Sequence, residues 1–368
     1  MQKIPLIKPY ITQEVKDKVN DVLSSGYLTE GPVTKEFEEA VRSYIDCRHA
    51  IAVCNCTVGL ETALRAMGIG PGDEVIVPDY TYPATASAVG IVGATIVIVD
   101  VDPDTMLSDY DAIENAVTKR TKAIMPVSIF GNPLDYGRLQ RIKEKYNLCI
   151  IEDAACALGA RYKGSCVGKL ADISVFSLHP RKFITTGEGG IITTNNSDLA
   201  DWIESYKHFG SITNTSRSTT QFERIGTNYK LSNVLAAIGL VQMKYIDSLL
   251  KKRTRMAIRY IEMLNNKPGV RLPQITRDGV HSWQSFCIYV HNRDKVIDNM
   301  REKNIEVQIG TYALHMHRAF YSNPNCRITG KMAGSRYAFD HCLTLPLFHD
   351  MTPEQQETVV DQLQQILR

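Results

Sequence analysis

Short apolar runs alternate with helical stretches along the first half of the chain, and this alternation constrains the fold more than any other feature. Five such runs come first, near residues 50–53, 74–78, 95–99, 123–127 and 148–152. Two more follow, near 172–176 and 190–194. Strands that are covered on both faces read as continuous apolar runs, and strands separated by helices form parallel sheets. The sequence therefore predicts βαβ units arranged in a mainly parallel sheet.

The rest of the chain is predicted to form a smaller second domain. Helical composition at about 231–265 leads out of the sheet region, and the apolar run around 286–290 opens a segment of mixed α+β type. Two N-terminal helices are predicted at 12–24 and 34–45. At 368 residues, 44% of them hydrophobic, the chain has enough material for a large core. We expect a large domain, including the N-terminal segment, at residues 1–245 and a smaller C-terminal domain at 246–368.

Charge and cysteine content argue against several classes of function. The net charge is only +2, so no field of one sign predicts binding to nucleic acid or to an acidic membrane surface. No apolar run approaches the roughly eighteen residues that cross a bilayer, and residues 1–5 carry no signal-peptide stretch, so a cytoplasmic protein is expected. The nine cysteines are expected to be reduced, and Cys54-x-Cys56 lacks metal-site spacing, so no metal is predicted.

An acidic residue stands at the carboxyl end of the fifth apolar run. The run at 148–151 is typical of a strand buried on both faces, and Glu152-Asp153 follows it. Acids at strand ends often cap the next helix, and residues 154–158 are compatible with such a helix. Open α/β sheets also bind ligands outside the carboxyl ends of their strands, so Asp153 equally suits a cofactor contact.

A lysine follows the next predicted strand. The strand covers 171–177, and Pro180 with the glycines that follow prevents its continuation, so Lys182 is expected to project from a loop at a strand end. A lysine that forms a Schiff base needs surroundings that favour its neutral amine, such as a desolvated pocket. The alternative is a solvated surface lysine, and Arg181 beside it is interpreted in that way.

Three segments form a specific pattern when they are taken together. They are Glu-Asp-Ala-Ala-x-Ala-Leu-Gly-Ala at 152–160, Phe-Ser-x-x-Pro-x-Lys at 176–182 and Thr-Gly-Glu-Gly-Gly at 186–190. This pattern resembles the sugar aminotransferases of the DegT/DnrJ/EryC1/StrS family, and the resemblance extends over nearly the whole chain. It implies the aspartate aminotransferase-like fold type I, an α/β fold with a three-layer α/β/α large domain around a mainly parallel mixed sheet and a smaller α+β C-terminal domain. It also implies pyridoxal 5'-phosphate as the cofactor.

The same resemblance implies the catalytic groups. Lys182 would hold the cofactor as a Schiff base, Asp153 would pair with the pyridinium nitrogen, and Ser177 would offer its hydroxyl to the cofactor phosphate. Relatives that act as dehydratases have a histidine in place of this lysine, whereas this chain retains Lys182. His179 lies nearby and is expected either to approach the cofactor or substrate or to be a polar loop residue.

A helix N-terminus is the second predicted contact of the phosphate. The run at 50–53 is followed by Cys54-Asn55-Cys56-Thr57 and then by helical composition. A strand, a tight turn and a helix start place backbone N–H groups and the positive end of the helix dipole where an anion can lie. Thr57 is predicted to cap the helix and to donate its hydroxyl, with simple capping as the alternative. The family usually has Gly-Thr here, so Cys56 departs from its pattern within the predicted cofactor-binding turn.

Two further positions are expected at the cofactor ring. The resemblance implies that Tyr82 stacks on the pyridine ring, whereas Tyr80 is expected to pack or to lie at the rim. The alternative is that both tyrosines fill the core. Cys156 stands where many relatives have a glutamine or another hydrogen-bonding residue that contacts the phenolic oxygen of the cofactor, and a thiol is a weak donor.

The resemblance also implies partners. In the family, the asparagine that matches Asn228 reaches the cofactor phosphate of the other subunit, so a homodimer with shared sites is expected, and a turn-shaping role is the alternative. Tyr27 and Thr29 lie in a segment that resembles the loop lining the nucleotide-sugar cleft. His315 and His317 lie in a segment that resembles a loop bringing a histidine towards the sugar, and the alternative is that they are polar loop residues. They lack the spacing of helical zinc ligands.

The expected reaction is a transamination between small molecules. L-Glutamate would convert the cofactor to pyridoxamine 5'-phosphate and leave as 2-oxoglutarate, and the amine would pass to a keto sugar. The resemblance favours a nucleotide-linked 4-keto-6-deoxy sugar, in amino-sugar or surface-polysaccharide biosynthesis. A 3-keto sugar, a keto-cyclitol and a small keto phosphate remain open as acceptors. A sugar dehydratase and a non-catalytic sensor on the same fold are the alternatives from other classes.

Overall fold

The computed structural model describes residues 3–212 and 219–368. The α-helices in these ranges are α1 (Gln13–Ser25), α2 (Pro32–Ile45), α3 (Cys56–Ala66), α4 (Ala84–Ile91), α5 (Tyr110–Ala116), α6 (Tyr136–Tyr146), α7 (Ser197–Lys207), α8 (Asn233–Met243), α9 (Ile246–Leu264), α10 (Arg293–Glu302), α11 (Arg318–Tyr321), α12 (Ala333–His341) and α13 (Pro353–Leu367). The strands are β1 (His49–Val53), β2 (Glu74–Pro78), β3 (Tyr80–Thr81), β4 (Thr95–Val99), β5 (Thr121–Ile124), β6 (Cys149–Asp153), β7 (Arg161–Tyr162), β8 (Ser165–Cys166), β9 (Ile173–Ser177), β10 (Gly190–Thr194), β11 (Val270–Arg271), β12 (Gly279–Val280), β13 (Phe286–Val290), β14 (Gln308–Ile309), β15 (Tyr312–Ala313), β16 (Cys326–Ile328) and β17 (Cys342–Leu345). The two predicted N-terminal helices and the helical region before residue 265 are therefore present, the latter divided into α8 and α9.

The large sheet has eight strands in the order β1-β10-β9-β6-β5-β2-β4-β16. β10 runs antiparallel to both of its neighbours. The other strand pairs in this sheet are parallel. The strands consist largely of β-branched residues that are buried on both faces, as in β2, where all five positions are buried. The predicted mainly parallel sheet is confirmed.

Helices cover both faces of this sheet. Because successive side chains of a strand point to opposite faces, Val75 and Val77 of β2 pack with α3, α4 and α7, whereas Ile76 packs with α2, α5, α6 and α8. The two apolar clusters thus lie on either side of one sheet. This is the predicted three-layer α/β/α arrangement.

The C-terminal part has its own core. β11, β13, β17 and β14 form an antiparallel sheet, in that order. Apolar side chains of β13 and β17 pack with α9, α10 and α13. Three strands of the C-terminal part pair instead with the N-terminal part: β16 with β4, β15 with β3 and β12 with β7. We therefore propose that the large domain ends at residue 245 and that the C-terminal domain begins at residue 246. The strands β12, β15 and β16 come later in the chain but pair with strands of the large domain.

Two features of composition also have structural counterparts. All nine cysteines are free thiols. Among the described residues, no helix has both the length and the apolar character that a bilayer-spanning segment requires.

The segment after β6 differs from one of the sequence interpretations. Residues 154–158 were compatible with a helix capped by Asp153, but they form consecutive turns. The N–H groups of Ala157 and Ala160 donate to carbonyl oxygens three residues earlier, both at 2.9 Å, and Gly159 has φ of +84°. The Asp153 side chain accepts from the Ala155 N–H, a local bond that favours a turn over a helix. Asp153 is therefore not a helix cap.

Close approach at Gly190 shapes the edge of the sheet where the candidate site lies. A methyl group there would come within 2.8 Å of the Asn55 carbonyl and 2.9 Å of the Cys56 nitrogen. We predict that Gly190→Ala lowers the free energy of unfolding by about 1–3 kcal/mol, measured by urea denaturation, because the strand or the turn must shift. Gly70→Ala is the control, since its methyl would meet only the Val92 carbonyl at 3.7 Å. Equal stability of the two variants would contradict the prediction.

Candidate active site

Parallel strands bring the predicted site residues to one edge of the sheet. Asp153 ends β6, Ser177 ends the neighbouring β9, and Cys56 and Thr57 form the first turn of α3, directly after β1. Lys182 lies in the loop that follows Ser177. The carboxyl ends of parallel strands are where open α/β sheets bind their ligands.

The amine of Lys182 lies among acidic groups. Its Nζ is 3.0 Å from the Cys156 Sγ. Burial opposes the charge on this amine, but Cys156, Cys56 and Asp153 outweigh that effect, so the pKa of Lys182 is raised above its ordinary value. Burial thus favours the neutral amine that the sequence interpretation expects, whereas the neighbouring acidic groups favour the ammonium. The reason is the proximity of two thiols and a carboxylate.

Asp153 is buried and hydrogen-bonded. Its Oδ2 accepts from the Thr85 Oγ1 at 2.7 Å, and its Oδ1 accepts from the Ala155 N–H at 3.1 Å. Burial raises the pKa of this carboxyl, although these bonds and Lys182 act in the opposite direction. A buried acid with a raised pKa gains when a cation is placed beside it. A pyridinium nitrogen would be such a cation.

The adjacent acid, Glu152, serves the fold. Strand alternation directs its side chain to the other face of the sheet. There its carboxylate accepts hydrogen bonds from Ser128 at 2.5 Å, Tyr136 at 2.6 Å and Ser174 at 2.8 Å. Because the chain itself supplies three hydrogen-bond donors to this carboxylate, Glu152 is a structural residue.

The start of α3 has the geometry of an anion site, with one correction. Asn55 is the N-cap, and its side chain accepts from the Val58 N–H at 3.0 Å. Thr57 is therefore not the cap that the sequence predicted, because the helix begins one residue earlier, at Cys56. The first N–H groups of a helix have no intrahelical acceptor, so Cys56 and Thr57 present donors at this end. The Cys56 thiol turns towards the Val175 carbonyl, with a distance of 3.9 Å.

The two tyrosines after β2 have different environments. Tyr80 is buried, and its hydroxyl oxygen accepts from the Thr311 N–H at 3.2 Å, so it packs as predicted. Tyr82 is 66% exposed, and its ring centroid lies 6.1 Å from that of Tyr312. The interpretation that both tyrosines fill the core is therefore wrong for Tyr82. Its stacking on a cofactor ring stays a prediction.

Asn228 contacts His208 and Lys230 rather than Lys182 or Asp153. Its backbone pairs with His208, and its Oδ1 accepts from the Lys230 Nζ at 2.5 Å. The side chain is exposed. Its predicted role across a subunit interface stays a prediction.

Asn233 holds the backbone of the N-terminal loop that contains Tyr27 and Thr29. The Asn233 Nδ2 donates to the Tyr27 carbonyl at 2.9 Å, and the Asn233 N–H donates to that of Thr29 at 3.2 Å. Tyr27 itself is 72% exposed. The backbone of the loop is thus held while its tyrosine ring remains accessible.

The same loop is tied to a buried lysine. Lys207 Nζ lies 3.3 Å from Glu30, 3.3 Å from Glu38 and 3.2 Å from Glu204. Glu30, Glu204 and His208 have the proximity of a metal site, but the ammonium of Lys207 already lies against both carboxylates. We interpret this cluster as an ion-pair network that holds the loop.

The predicted histidines occupy three different environments. The His315 Nδ1 lies 2.5 Å from the Asp79 Oδ2, and the backbone N–H of His315 donates to the Asp79 Oδ1 at 2.6 Å. The His317 ring packs on Tyr312 at 5.6 Å, and its buried Nε2 has no hydrogen-bond partner among the described residues. His179 is exposed, and its Nδ1 accepts from the Arg181 N–H at 3.2 Å.

Sequence reasoning missed two polar residues of this edge. Asp79 directly follows β2, so its position at a strand end was a usable signal. Thr85 lies in the first turn of α4, and its contact with Asp153 joins residues 68 positions apart. No local pattern reveals such a contact.

Loss of the Thr85 hydroxyl should weaken cofactor binding. Thr85→Val keeps the shape and removes the donor at 2.7 Å from Asp153, so the pKa of the carboxyl rises further and its ionised form is less available. Hydrogen bonds to charged groups contribute about 1.5–3 kcal/mol, so we expect roughly ten- to a hundredfold weaker affinity for pyridoxal 5'-phosphate, measured by absorbance titration. Thr193→Val, which loses a buried bond to the Gly168 carbonyl at 2.8 Å, should leave the affinity unchanged. Equal affinities of the two variants would refute this role.

Comparisons with known proteins identify the family and the fold of the chain. The sequence model described as "DegT/DnrJ/EryC1/StrS aminotransferase family" matches residues 9–364. The chain is 35% identical to the UDP-4-amino-4-deoxy-L-arabinose–oxoglutarate aminotransferase of Shewanella sediminis, covering 99% of this chain and 98% of that protein. It is 31% identical to the spore coat polysaccharide biosynthesis protein SpsC of Bacillus subtilis, covering 99% and 97%. Among solved structures, the putative sugar aminotransferase Spr1654 of Streptococcus pneumoniae in its PMP form has a TM-score of 0.92 at 29% identity, covering 99% and 97%, and its PLP form has a TM-score of 0.91.

Proposed function

Because the chain belongs to the DegT/DnrJ/EryC1/StrS aminotransferase family, whose members use pyridoxal 5'-phosphate, we propose that it transfers the amino group of L-glutamate to a keto sugar. The acceptor that we propose is a nucleotide-linked 4-keto-6-deoxy sugar. The aminotransferase activity itself follows from the family. The observation that carries the proposal is the convergence of the Lys182 amine and the Asp153 carboxylate at the carboxyl ends of β6 and β9.

The residues of the pocket fit this cofactor. Asp153 is a buried carboxyl with a raised pKa, which a cationic ring nitrogen would lower. The start of α3 offers backbone donors to a phosphate, and Ser177 adds a hydroxyl at the neighbouring strand end. When bound, pyridoxal phosphate supplies an aldehyde carbon that receives the amino group and a ring that withdraws electrons from the reacting carbon.

The remaining roles belong to side chains of this chain. We propose that Lys182 takes a proton from the substrate carbon and gives it to the reacting carbon of the cofactor. Its amine must be neutral during turnover to accept that proton. Asp153 keeps the ring nitrogen protonated. Thr57 and Ser177 would orient the phosphate, and Tyr82 would offer its exposed ring as a stacking face. Cys56 lies in the turn that would hold the phosphate, and Cys156 contacts Lys182.

Substrate contacts are proposed for the loops around this edge. Tyr27 and Thr29 come from the N-terminal loop, His179 from the loop before Lys182, and His315 and His317 from the segment after β15. The buried Nε2 of His317, which lacks a partner among the described residues, supports a polar ligand near that segment. A sugar hydroxyl would satisfy it.

The names of two relatives support a sugar acceptor. One acts on a UDP-linked amino-arabinose, and the other takes part in spore coat polysaccharide biosynthesis. We therefore propose a place in amino-sugar or surface-polysaccharide biosynthesis.

A labelled amino donor tests the proposal. The purified enzyme with cofactor is incubated with ¹⁵N-glutamate and a panel of 4-keto sugars, 3-keto sugars, keto-cyclitols and keto phosphates, and products are detected by mass spectrometry. We expect ¹⁵N in a nucleotide-linked 4-keto-6-deoxy sugar. Label in another acceptor would assign that acceptor in place of the proposed sugar. Loss of oxygen without gain of nitrogen would indicate a dehydratase, and absence of any product, repeated with other amino donors, would favour a sensor.

We also propose a homodimer in which each site uses Asn228 of the second copy. Phe209 and Ile225 near this asparagine are 54% and 96% exposed, and such apolar surface is typical of an interaction site. Sedimentation should give twice the chain mass. Mixing Lys182→Ala with Asn228→Ala chains should restore activity, because one site of a mixed dimer then has both residues intact. Failure of the mixture to recover activity would refute shared sites.

A further inference from the structure

The segment His281–Ser285, which we call the crossing segment, contacts the backbone at Gly131, at Cys156 and on both sides of Lys182. It joins β12 to β13 in the C-terminal half. The Ser282 N–H donates to the Gly131 carbonyl at 3.0 Å, and its Oγ donates to the Cys156 carbonyl at 3.2 Å. The fit at this crossing is tight, since a methyl on Gly131 would lie 2.4 Å from the Ser282 Oγ.

Gln284, in the same segment, holds the backbone on both sides of Lys182. Its Oε1 accepts from the Phe183 N–H at 3.1 Å, and its Nε2 donates to the Arg181 carbonyl at 2.7 Å. The side chain is 5% exposed. These two bonds fix the peptide groups before and after Lys182, and therefore the direction in which its side chain leaves the loop.

The conformation of the crossing segment is strained and strongly supported. Trp283 has φ of +56°, which is rare for a bulky side chain. Its N–H donates to the His281 Nδ1 at 2.8 Å, and the two rings stack with centroids 4.1 Å apart. Burial, together with the charge of Arg253, lowers the pKa of His281 to about 3, so this nitrogen stays free to accept. Strained backbone that persists under such constraint is typical of functional sites.

Arg253 of α9 provides the remaining support. Its Nε donates to the Trp283 carbonyl and its Nη2 to the Gln284 carbonyl, both at 2.8 Å. The residue is 1% exposed, and its Nη1 has no hydrogen-bond partner among the described residues. Burying a guanidinium costs free energy unless it forms hydrogen bonds, and this one donates to two consecutive backbone carbonyls of the crossing segment.

We propose that Gln284 is a positioning residue for Lys182, held in place through its backbone by Arg253. Gln284 acts through the two peptide groups beside Lys182, so that the amine meets the cofactor aldehyde and the substrate carbon in one geometry. This inference rests on the proposed role of Lys182. Through Gln284, the C-terminal half of the chain contacts the loop that carries the reacting amine.

A matched pair of variants tests the proposal. Gln242 makes two bonds of the same kind to Thr185, with its Oε1 accepting from the N–H at 3.0 Å and its Nε2 donating to the carbonyl at 2.8 Å, and it is also buried. Gln284→Met and Gln242→Met therefore remove equal numbers of bonds, beside Lys182 and three residues beyond it. Unfolding midpoints, cofactor incorporation followed by absorbance, and borohydride trapping followed by peptide mass are measured for both.

We expect similar losses of stability, but slower incorporation and trapping at Lys182 only in Gln284→Met. The effect should be at least about tenfold, because misplacement of a reacting group by about 1 Å costs up to a hundredfold. kcat should fall while KM for glutamate changes little. Gln284→Glu keeps the side-chain oxygen that accepts from the Phe183 N–H and should give an intermediate rate. This variant still tests the proposal if Gln284→Met does not fold. Equal slowing in the Gln284 and Gln242 variants, or slowing in neither, overturns the proposal. If trapping in the unmodified enzyme labels a residue other than Lys182, the proposed role of Lys182 fails first, and that outcome is distinct.

Discussion

Lys182→Ala is expected to abolish amino transfer, lowering the rate by about ten-thousandfold or more. The variant loses the amine that holds the cofactor and the group that moves the proton between substrate and cofactor carbons. Lys182→Arg should be equally inactive, because a guanidinium keeps the charge but does not give up its proton in proteins. The measurement is ¹⁵N transfer from labelled glutamate under single-turnover conditions.

Two controls separate this effect from damage to the fold. Lys169, an exposed lysine that pairs with Asp46, is the matched residue, and Lys169→Ala should retain full activity. Lys182→Ala should still unfold cooperatively, with a lowered midpoint in the cofactor-free protein, because the buried Asp153 carboxyl and the Cys156 thiol lose the amine beside them. Residual transfer within tenfold of the unmodified enzyme would remove Lys182 from the mechanism.

The sheet was predictable because each of its central strands is buried on two faces. Runs such as the one in β2 have apolar residues at successive positions, which few other structures require, and the helices between them leave parallel pairing as the simplest topology. The return of β16 to pair with β4 was not predictable. It joins residues 326–328 to 96–98, and the three-residue strand leaves no distinctive pattern in the sequence.

The site was predictable where a residue marks the end of a strand. Asp153 and Ser177 stand at such ends, and their positions follow from the strands themselves. The contacts that tune them were not predictable, because Thr85 and Gln284 reach the site from distant segments. The error at Thr57 has a local cause: two polar residues, Asn55 and Thr57, compete for one cap, and the asparagine is the one whose extended backbone precedes the helix.

The charge state of Lys182 shows a further limit of sequence reasoning. The expectation of a neutral amine came from the need of the chemistry, whereas the raised pKa comes from two cysteines and one aspartate that converge from β6, its following turn and α3. A ring cation beside Asp153 would offset that aspartate. The residues of the chain alone therefore favour an ammonium at Lys182.

Asp153→Asn should give opposite effects on activity and on stability. The substitution keeps the shape at the end of β6 but removes the negative charge that holds the ring nitrogen protonated, so we expect about a thousandfold loss of amino transfer. In the cofactor-free protein the same change should be stabilising at neutral pH. Burial raises the folded-state pKa of Asp153, so ionisation costs stability as the pH rises above the unfolded value of about 3.9.

Urea unfolding at two pH values, together with a transfer assay, tests both parts. At pH values below the unfolded pKa the carboxyl is protonated in both states, so the variant and the unmodified protein should differ little. The advantage of the variant should develop as the pH is raised through the folded pKa towards neutrality. Thr85 remains able to bond the new amide, which isolates the charge as the altered property. A variant that is both inactive and less stable at neutral pH would show that the carboxylate is needed for the fold, and the assignment of Asp153 to the ring nitrogen would lose its support.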